Sequence, residues 1–492
     1  MTDTTDRWDG RRRITLAVVC AATAMLMLDI AVVNTALPAI SKDFSADLSG
    51  LKWVVDGYTL ALAATVLSAG AWADRVGRRR VFVIGAVVFT VSSVLCASAD
   101  RLVILNAARV VQGLGASLLF ATSLALLAAT FGHGTKARAS ALAAYGATIG
   151  GAFAVGPLLG GMLTEWFDWR AIFVINVPVG LAMLAGVRWI DESASAEPRR
   201  GDWAGQVAAV IALGALTDGF FQASERGWSA DRTLLMFLIA AVAFGLFLLI
   251  ESKVAEPMLP LGLFATRVFA GAQAATFAIS ASMFAVFVYV TLYLQGVVGL
   301  SPIEAGLVYL PGTVVMFVVA GATDKLMRVV APRILISVSL VAVACGLAWM
   351  TIATVDSSGW NLVPGFLLAC VGAGVFNPVL SAIVLAESGS DDVGLAAGVN
   401  DVFRQSGIAL GVAALGAVFP AQSAFAPDAA EAFTEALVVA LWIGCGIAMA
   451  GAAVAAATLG RARLDAEPDR ADGRSSRTGT IAVASTVGSP GE

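Results

Sequence analysis

Charge is scarce in this 492-residue chain: Asp, Glu, Lys and Arg make up only 13% of it, against 59% hydrophobic residues. An average soluble domain is roughly 25% charged, so this polar complement is too small to cover a water-facing surface. Histidine is nearly missing, with His133 alone. The five cysteines (Cys20, Cys96, Cys345, Cys370, Cys445) are scattered through apolar stretches with no CxxC or Cys/His pairing. That pattern excludes a disulfide framework and argues against any metal site. No GxxxxGK[ST] run occurs, and Gln112-Gly113-Leu114-Gly115 and Gly372-Ala373-Gly374 lie inside apolar segments with no preceding strand. ATP binding is excluded on that ground. The same composition excludes a soluble enzyme, a secreted disulfide scaffold and a nucleic-acid binder, and no cofactor is expected.

What the chain has in abundance is long apolar runs. Runs of ~20 residues at helical rise cross ~30 Å of hydrocarbon, and in lipid the backbone must satisfy its own hydrogen bonds. Spans are predicted near 14–38, 51–72, 80–98, 101–129, 138–164, 169–190, 203–221, 233–251, 268–296, 304–323, 331–353, 361–386, 394–419 and 434–459. The expectation is therefore an all-α polytopic membrane protein of about fourteen helices. Arg11, Arg12 and Arg13 precede an apolar run that continues to about Ile40, too long for a signal-peptide core, so it reads as an uncleaved first span.

Basic residues set the orientation. With the N-terminus in the cytoplasm, inner segments hold 23 Lys/Arg and outer loops 6, which places both termini inside. The polar stretches 191–202 and 252–267 bracket two helices between two six-helix blocks. The organisation is thus a cytoplasmic segment 1–13, a bundle 14–190, two inserted helices 203–251, a second bundle 268–459 and a disordered tail 461–492. A weak internal repeat agrees: Gly70 to Arg79, with Asp74 and Arg75, closes the second helix of the first block, and Gly321-Ala322-Thr323-Asp324-Lys325 closes the second helix of the other. Transporters are often built from such paired halves.

Ionisable residues inside spans cost ~2.5–3.5 kcal/mol each at a helix centre and are candidates for function. Asp29 lies ~13 Å from the outer end of span 1 and Arg109 ~12 Å from the outer start of span 4, which puts them at similar depth. A carboxylate beside a movable cation can bind and release a proton as its surroundings change; a static salt bridge is the other reading. Asp56, beside Trp53 and Tyr58, reads either as a proton site or as a helix-terminal carboxylate at an aromatic belt. Asn400, Asp401, Arg404 and Gln405 form a polar patch in span 13 that is either substrate-facing or interhelical glue. Asn34 and Gln112 are further cavity candidates. Span 5 carries Gly146, Gly150, Gly151, Gly156, Pro157, Gly160 and Gly161; this glycine density permits close helix approach around a proline bend, so it reads as a hinge or seal. Among the aromatics, Phe120, Phe277, Phe284, Phe287, Tyr293 and Phe376 are equally readable as cavity lining or as lipid-facing.

Several of these runs together resemble the major facilitator superfamily. Gly70-xxx-Asp74-Arg75-x-Gly77-Arg78-Arg79 resembles its cytoplasmic signature loop, Arg109 to Ala116 its fourth-helix motif, and Gly150 to Gly161 the fifth-helix motif associated with antiporters. Leu28-Asp29 to Pro38, Trp53 to Tyr58, Trp169 to Pro178, Ser301-Pro302 to Gly306 and Arg404-Gln405-Ser406-Gly407 are similar to its fourteen-helix drug:proton antiporter branch. The second-half loop departs from the pattern, with Lys325 where the first half has Arg75. The resemblance implies two six-helix bundles plus two inserted helices. It also implies proton-driven export of amphipathic compounds such as antibiotics, drugs or dyes, with Asp29 in proton coupling and Arg109 tuning its charge. By the same resemblance, Asp74 with Arg75, Arg78 and Arg79 would latch the two halves, and Gly156-Pro157 would shape a seal. Export of a defined metabolite, amino acid or sugar is the rival within transport. A receptor lacks its folded domain here, and a lipid-modifying enzyme lacks its nucleophile/base pair.

Overall fold

The computed structural model describes residues 9–131, 136–194, 202–387, 393–420 and 429–459. His133, most of the 191–202 linker and the 461–492 tail lie outside the described residues.

Polar residues set the helix ends. Asp9 accepts from Arg12 N at 2.8 Å and opens α1 (Gly10–Phe44), which stops at Ser45 in the left-handed region. Asp47 accepts from Gly50 N at 2.8 Å and opens α2 (Leu48–Val76), which stops at Gly77 with φ +116°. There follow α3 (Arg78–Ala97), α4 (Leu102–Thr130) and α5 (Lys136–Trp166). The next span, α6 (Ala171–Trp189), is broken near Ile175 and ends in a 3₁₀ turn. Asp202 caps α7 (Trp203–Arg226), which forms a hairpin with α8 (Asp231–Lys253). The second half comprises α9 (Arg267–Gly296), with a π turn at Ser280–Phe284, α10 (Pro302–Met327), α11 (Pro332–Met350), α12 (Val363–Glu387), α13 (Val393–Gly416) and α14 (Ala430–Thr458). A capping box between Ser301 and Glu304, with Pro302 in the first turn, fixes the start of α10.

Thirteen of these helices, among the described residues, are long and apolar enough to cross a bilayer. The exception is α13, the helix that carries Asn400, Asp401, Arg404 and Gln405. Large apolar side chains stay exposed along the outer faces, such as Leu234, Leu238 and Phe244 on α8 and Val318 on α10. Water would not tolerate that surface; hydrocarbon does.

Helices α1 to α6 pack as one bundle and α9 to α14 as a second, and the two meet along α2–α13 and α5–α10. The α7–α8 hairpin is joined to both through α7, which packs on α2 and α13. Polar bonds to both sides pin it, among them Gln206 Nε2 donating to Ala64 O at 2.6 Å and Ser224 Oγ to Phe419 O at 3.2 Å. Thus α7 straps the α2–α13 seam, while α8 faces outward.

Candidate functional site: a buried ion pair beside an apolar cavity

The most polar place in the first bundle is also among its driest. Asp29 and Arg109 are each 1% exposed, and the guanidinium Nη1 donates to Asp29 Oδ2. Sequence spacing put them at one depth; the fold puts them in contact. Asp29 Oδ1 accepts from Gln112 Nε2 at 3.0 Å and from Asn176 Nδ2 at 3.1 Å. Arg109 Nη1 also donates to Gln112 Oε1 at 2.7 Å and its Nε to Val54 O at 2.9 Å, with the cation 4.4 Å from the Tyr58 ring centroid. Ser93 Oγ accepts from Gln112 at 2.9 Å. Five helices (α1, α2, α3, α4 and α6) thereby converge on one ion cluster. Besides Asp29, Arg109 has two other acceptors, Gln112 Oε1 and Val54 O, so the guanidinium does not depend on the carboxylate alone. Gln112, foreseen as cavity lining, belongs to this cluster. Asn176 and Ser93 were missed as site residues, although an amide in the apolar run of α6 is itself a signal.

A cleft with about 630 Å³ of non-atom space, part of it open to the outside, lies where the bundles meet, between α1, α2 and α5 on one side and α9, α10, α12 and α13 on the other. Asn34, Phe284 and Phe287 line it as the sequence allowed, and Pro157 joins them; Phe153, Met316, Phe366 and Cys370 were not foreseen. Phe120, Phe277, Tyr293 and Phe376 are not among its lining residues. Asp29 is absent from the lining as well, although its neighbour Ile30 is present, because the carboxylate turns into the first bundle.

The glycines of α5 explain how the cavity is closed at one end. A Cβ on Gly160 would lie 2.8 Å from Val32 Cα and 2.9 Å from Val32 O, and one on Gly156 would collide with Ala31, so α5 lies directly on α1. Gly161 faces Pro302 and Ile303 of α10, and Gly150 faces Phe317, so the same helix also meets the second bundle. At the end remote from the N-terminus three polar bonds cross between bundles. Lys52 Nζ donates to Gly416 O at 2.9 Å, Gln295 Nε2 to Thr35 O at 3.0 Å, and Ile303 N to Glu165 Oε2 at 3.0 Å. Toward the other end, Gly146 of α5 and Gly321 of α10 have open space beside them.

The remaining polar residues are distributed along the seam. Asp56 is fully buried, and neither of its oxygens has a hydrogen-bond partner among the described residues. Asn400 Oδ1 accepts from Thr276 Oγ1 at 2.9 Å, so it ties α13 to α9. Asp401 is buried 3.3 Å from the Arg404 guanidinium, whose side chain is 24% exposed, and Gln405 is buried with its Oε1 unpartnered.

In the loop between α2 and α3, Asp74 pairs with Arg78 at 2.8 Å. Glu192, just beyond α6, accepts from Arg79 N at 3.0 Å and occupies the space that a side chain at Gly77 would fill. Arg75 is exposed, and a side chain at Gly70 would meet nothing. Here the loop is closed on its own bundle. The second half repeats the pairing at the matching place, Asp324 with Arg328 at 3.3 Å.

Comparison with known proteins gives a consistent result. The pattern that defines the Major Facilitator Superfamily matches residues 19–412. The chain is 33% identical over 414 residues to the multidrug resistance protein Stp of Mycobacterium tuberculosis, covering 83% of this chain and 76% of that one. It is 32% identical over 420 residues to the methylenomycin A resistance protein of Bacillus subtilis, covering 85% and 90%. The peptide transporter POT, solved with sulfate, shares the fold with a TM-score of 0.64 at 14% identity, over 90% of this chain and 94% of that one.

Proposed function

The chain belongs to the Major Facilitator Superfamily, a family of membrane transporters rather than enzymes, and from that premise we propose that it is a proton-coupled antiporter exporting amphipathic organic compounds by alternating access. The observation that carries the reading is a carboxylate–guanidinium cluster buried beside, yet outside, an apolar cavity at the junction of two bundles. The names of relatives, multidrug resistance and methylenomycin A resistance, support a drug-like cargo.

In this reading both termini face the cytoplasm of a cell-membrane protein, following the partition of basic residues. The Lys52, Gln295 and Glu165 bonds then form the outer closure, and cargo enters from the cytoplasmic side. A proton on Asp29 releases Arg109 toward Gln112 and Val54 O, loosens α1 from α4, and disturbs α5 through the Gly156 and Gly160 contacts. Asp56, unpartnered on the α2–α13 seam, is a second proton-coupling residue. Gly70, Asp74, Arg75, Gly77, Arg78 and Arg79 form the cytoplasmic latch, engaging the second bundle when the inner side closes. Gly150, Gly156, Pro157, Gly160 and Gly161 form the seal against proton leak. The α7–α8 hairpin supports the seam and stays outside the cargo path.

The test is purified protein in proteoliposomes loaded with a pH-sensitive dye. Adding cargo from a chemically varied panel should drive proton movement, and Asp29→Asn should abolish it while leaving the protein folded. Coupling that survives in Asp29→Asn would refute this assignment.

A further inference from the structure

We propose that the central cavity selects uncharged, flat aromatic compounds carrying a hydrogen-bond donor, and discriminates against permanent cations. This deepens the export reading and relies on it only for the direction in which the ligand leaves.

No carboxylate and no cation lines the cavity. Two carboxylates lie next in sequence to lining residues, and neither reaches the lining: Asp29, beside Ile30, is tied to Arg109, Gln112 and Asn176 inside the first bundle, and Asp56, beside Val55, is buried on the α2–α13 seam. A cation entering this space would shed its water against walls that carry no counter-ion. Ring faces can attract cations, and four phenyl groups are present. Those rings, however, are spent on one another: Phe153 meets Phe284 across the bundles at 5.7 Å, and Phe287 meets Phe366 at 5.9 Å and Tyr309 at 4.2 Å. Such packed pairs form an apolar wall against which a planar ring can stack, not an open cage around a charge. Met283 and Met316 add polarizable, adaptable walls, which suits related ring systems of differing outline.

One polar feature supplies direction. Asn34 is 7% exposed and lines the cavity, and its Oδ1 has no hydrogen-bond partner among the described residues; its amide also carries N–H donors. An orphaned acceptor at that burial costs stability unless a ligand donates to it. Thr313 already donates to Ala154 O at 2.9 Å, so its hydroxyl offers only lone pairs. The Asn34 carbonyl and the Thr313 hydroxyl thus accept from a donor on the ligand, and the Asn34 N–H can donate to an acceptor beside it, the pairing a lactam provides.

Three matched probes separate the terms: phenanthridinone (neutral, with an N–H), phenanthridine (neutral, without one) and 5-methylphenanthridinium (permanently charged). The readout is the fluorescence of each probe titrated with purified full-length protein, which gives the three affinities directly. The expected order is phenanthridinone, then phenanthridine, with the cation weaker by on the order of tenfold or more. Asn34→Leu should erase the preference for phenanthridinone, and Met316→Asp should admit the cation. Equal or tighter binding of the cation to the unaltered cavity, or binding of none of the three, overturns the proposal. Proton movement is scored separately. Phenanthridinone that binds without moving protons counts against the antiport reading alone, and a cation that both binds and moves protons counts against the cavity assignment alone.

Discussion

Asp29→Asn and Asp56→Asn are the same chemical change at two buried carboxylates, and the structure predicts unequal effects on stability. Asp29 holds a cation that is itself 1% exposed, so removing its charge leaves Arg109 in a dry interior without a counter-ion. Breaking a buried pair from one side costs about 3–5 kcal/mol. Arg109 keeps Gln112 Oε1, Val54 O and the Tyr58 face, and the new amide oxygen still accepts one bond, so the lower end, about 3 kcal/mol, is expected. Asp56 has no bond to lose, since neither oxygen has a hydrogen-bond partner among the described residues. An amide there removes an ionisable group from a desolvated site, but also the carboxylate that acts most strongly on the buried Lys52; Lys52 Nζ keeps its bond to Gly416 O, so the loss should be clearly smaller than at Asp29. The assay is thermal unfolding of the purified full chain in detergent, following exposure of buried thiols with a fluorogenic maleimide and comparing all three proteins at one pH. A melting temperature for Asp29→Asn at or above the wild type, or a larger loss in Asp56→Asn, would refute the view that the first carboxylate is hydrogen-bonded and the second is not.

Gly160→Val should cost more than Gly146→Val in both stability and proton tightness, because the first side chain meets the Val32 backbone at under 3 Å and the second meets open space; melting curves and passive proton leak in proteoliposomes check this. Gly77→Ala should cost about 1–2 kcal/mol, since φ is +116° there and the new methyl meets Glu192; turnover should fall while affinity for the cavity ligand stays constant. Cysteines placed singly at 42 and 80 should react with an impermeant maleimide from opposite sides of the membrane, and labelling from one side would overturn the span map.

Helix number and type were legible because apolar runs of membrane length leave a continuous backbone few options. Even α13, whose polar residues keep it out of the set of simple spans, lies at 393–416 against an expected 394–419. The pairing of Asp29 with Arg109 was legible as equal depth, since helical rise converts residue count into height. Height says nothing about azimuth, which explains why Gln112 was expected in the cavity and lies in the ion cluster. For phenylalanine the difficulty is chemical: hydrocarbon tails and a drug pocket favour the same side chain, so Phe284 and Phe376 look alike in sequence while only the first lines the cavity. The strap formed by α7 depends on Gln206 and Ser224, ordinary polar residues whose significance is the neighbour they meet.

On the proposed reading, in which Asp29 carries the proton and the cavity the cargo, the turn of that carboxylate away from the cavity means that the two cargoes of an exchange cycle need not compete for one group. A substitution at Phe287 or Met316 can reshape what is accepted without altering what is titrated. Single changes in the lining can therefore redirect the protein to new compounds while the energy supply stays intact. A pump organised in this way adapts to unfamiliar toxins one residue at a time, and an inhibitor aimed at the ion cluster would be harder to escape than one aimed at the cavity.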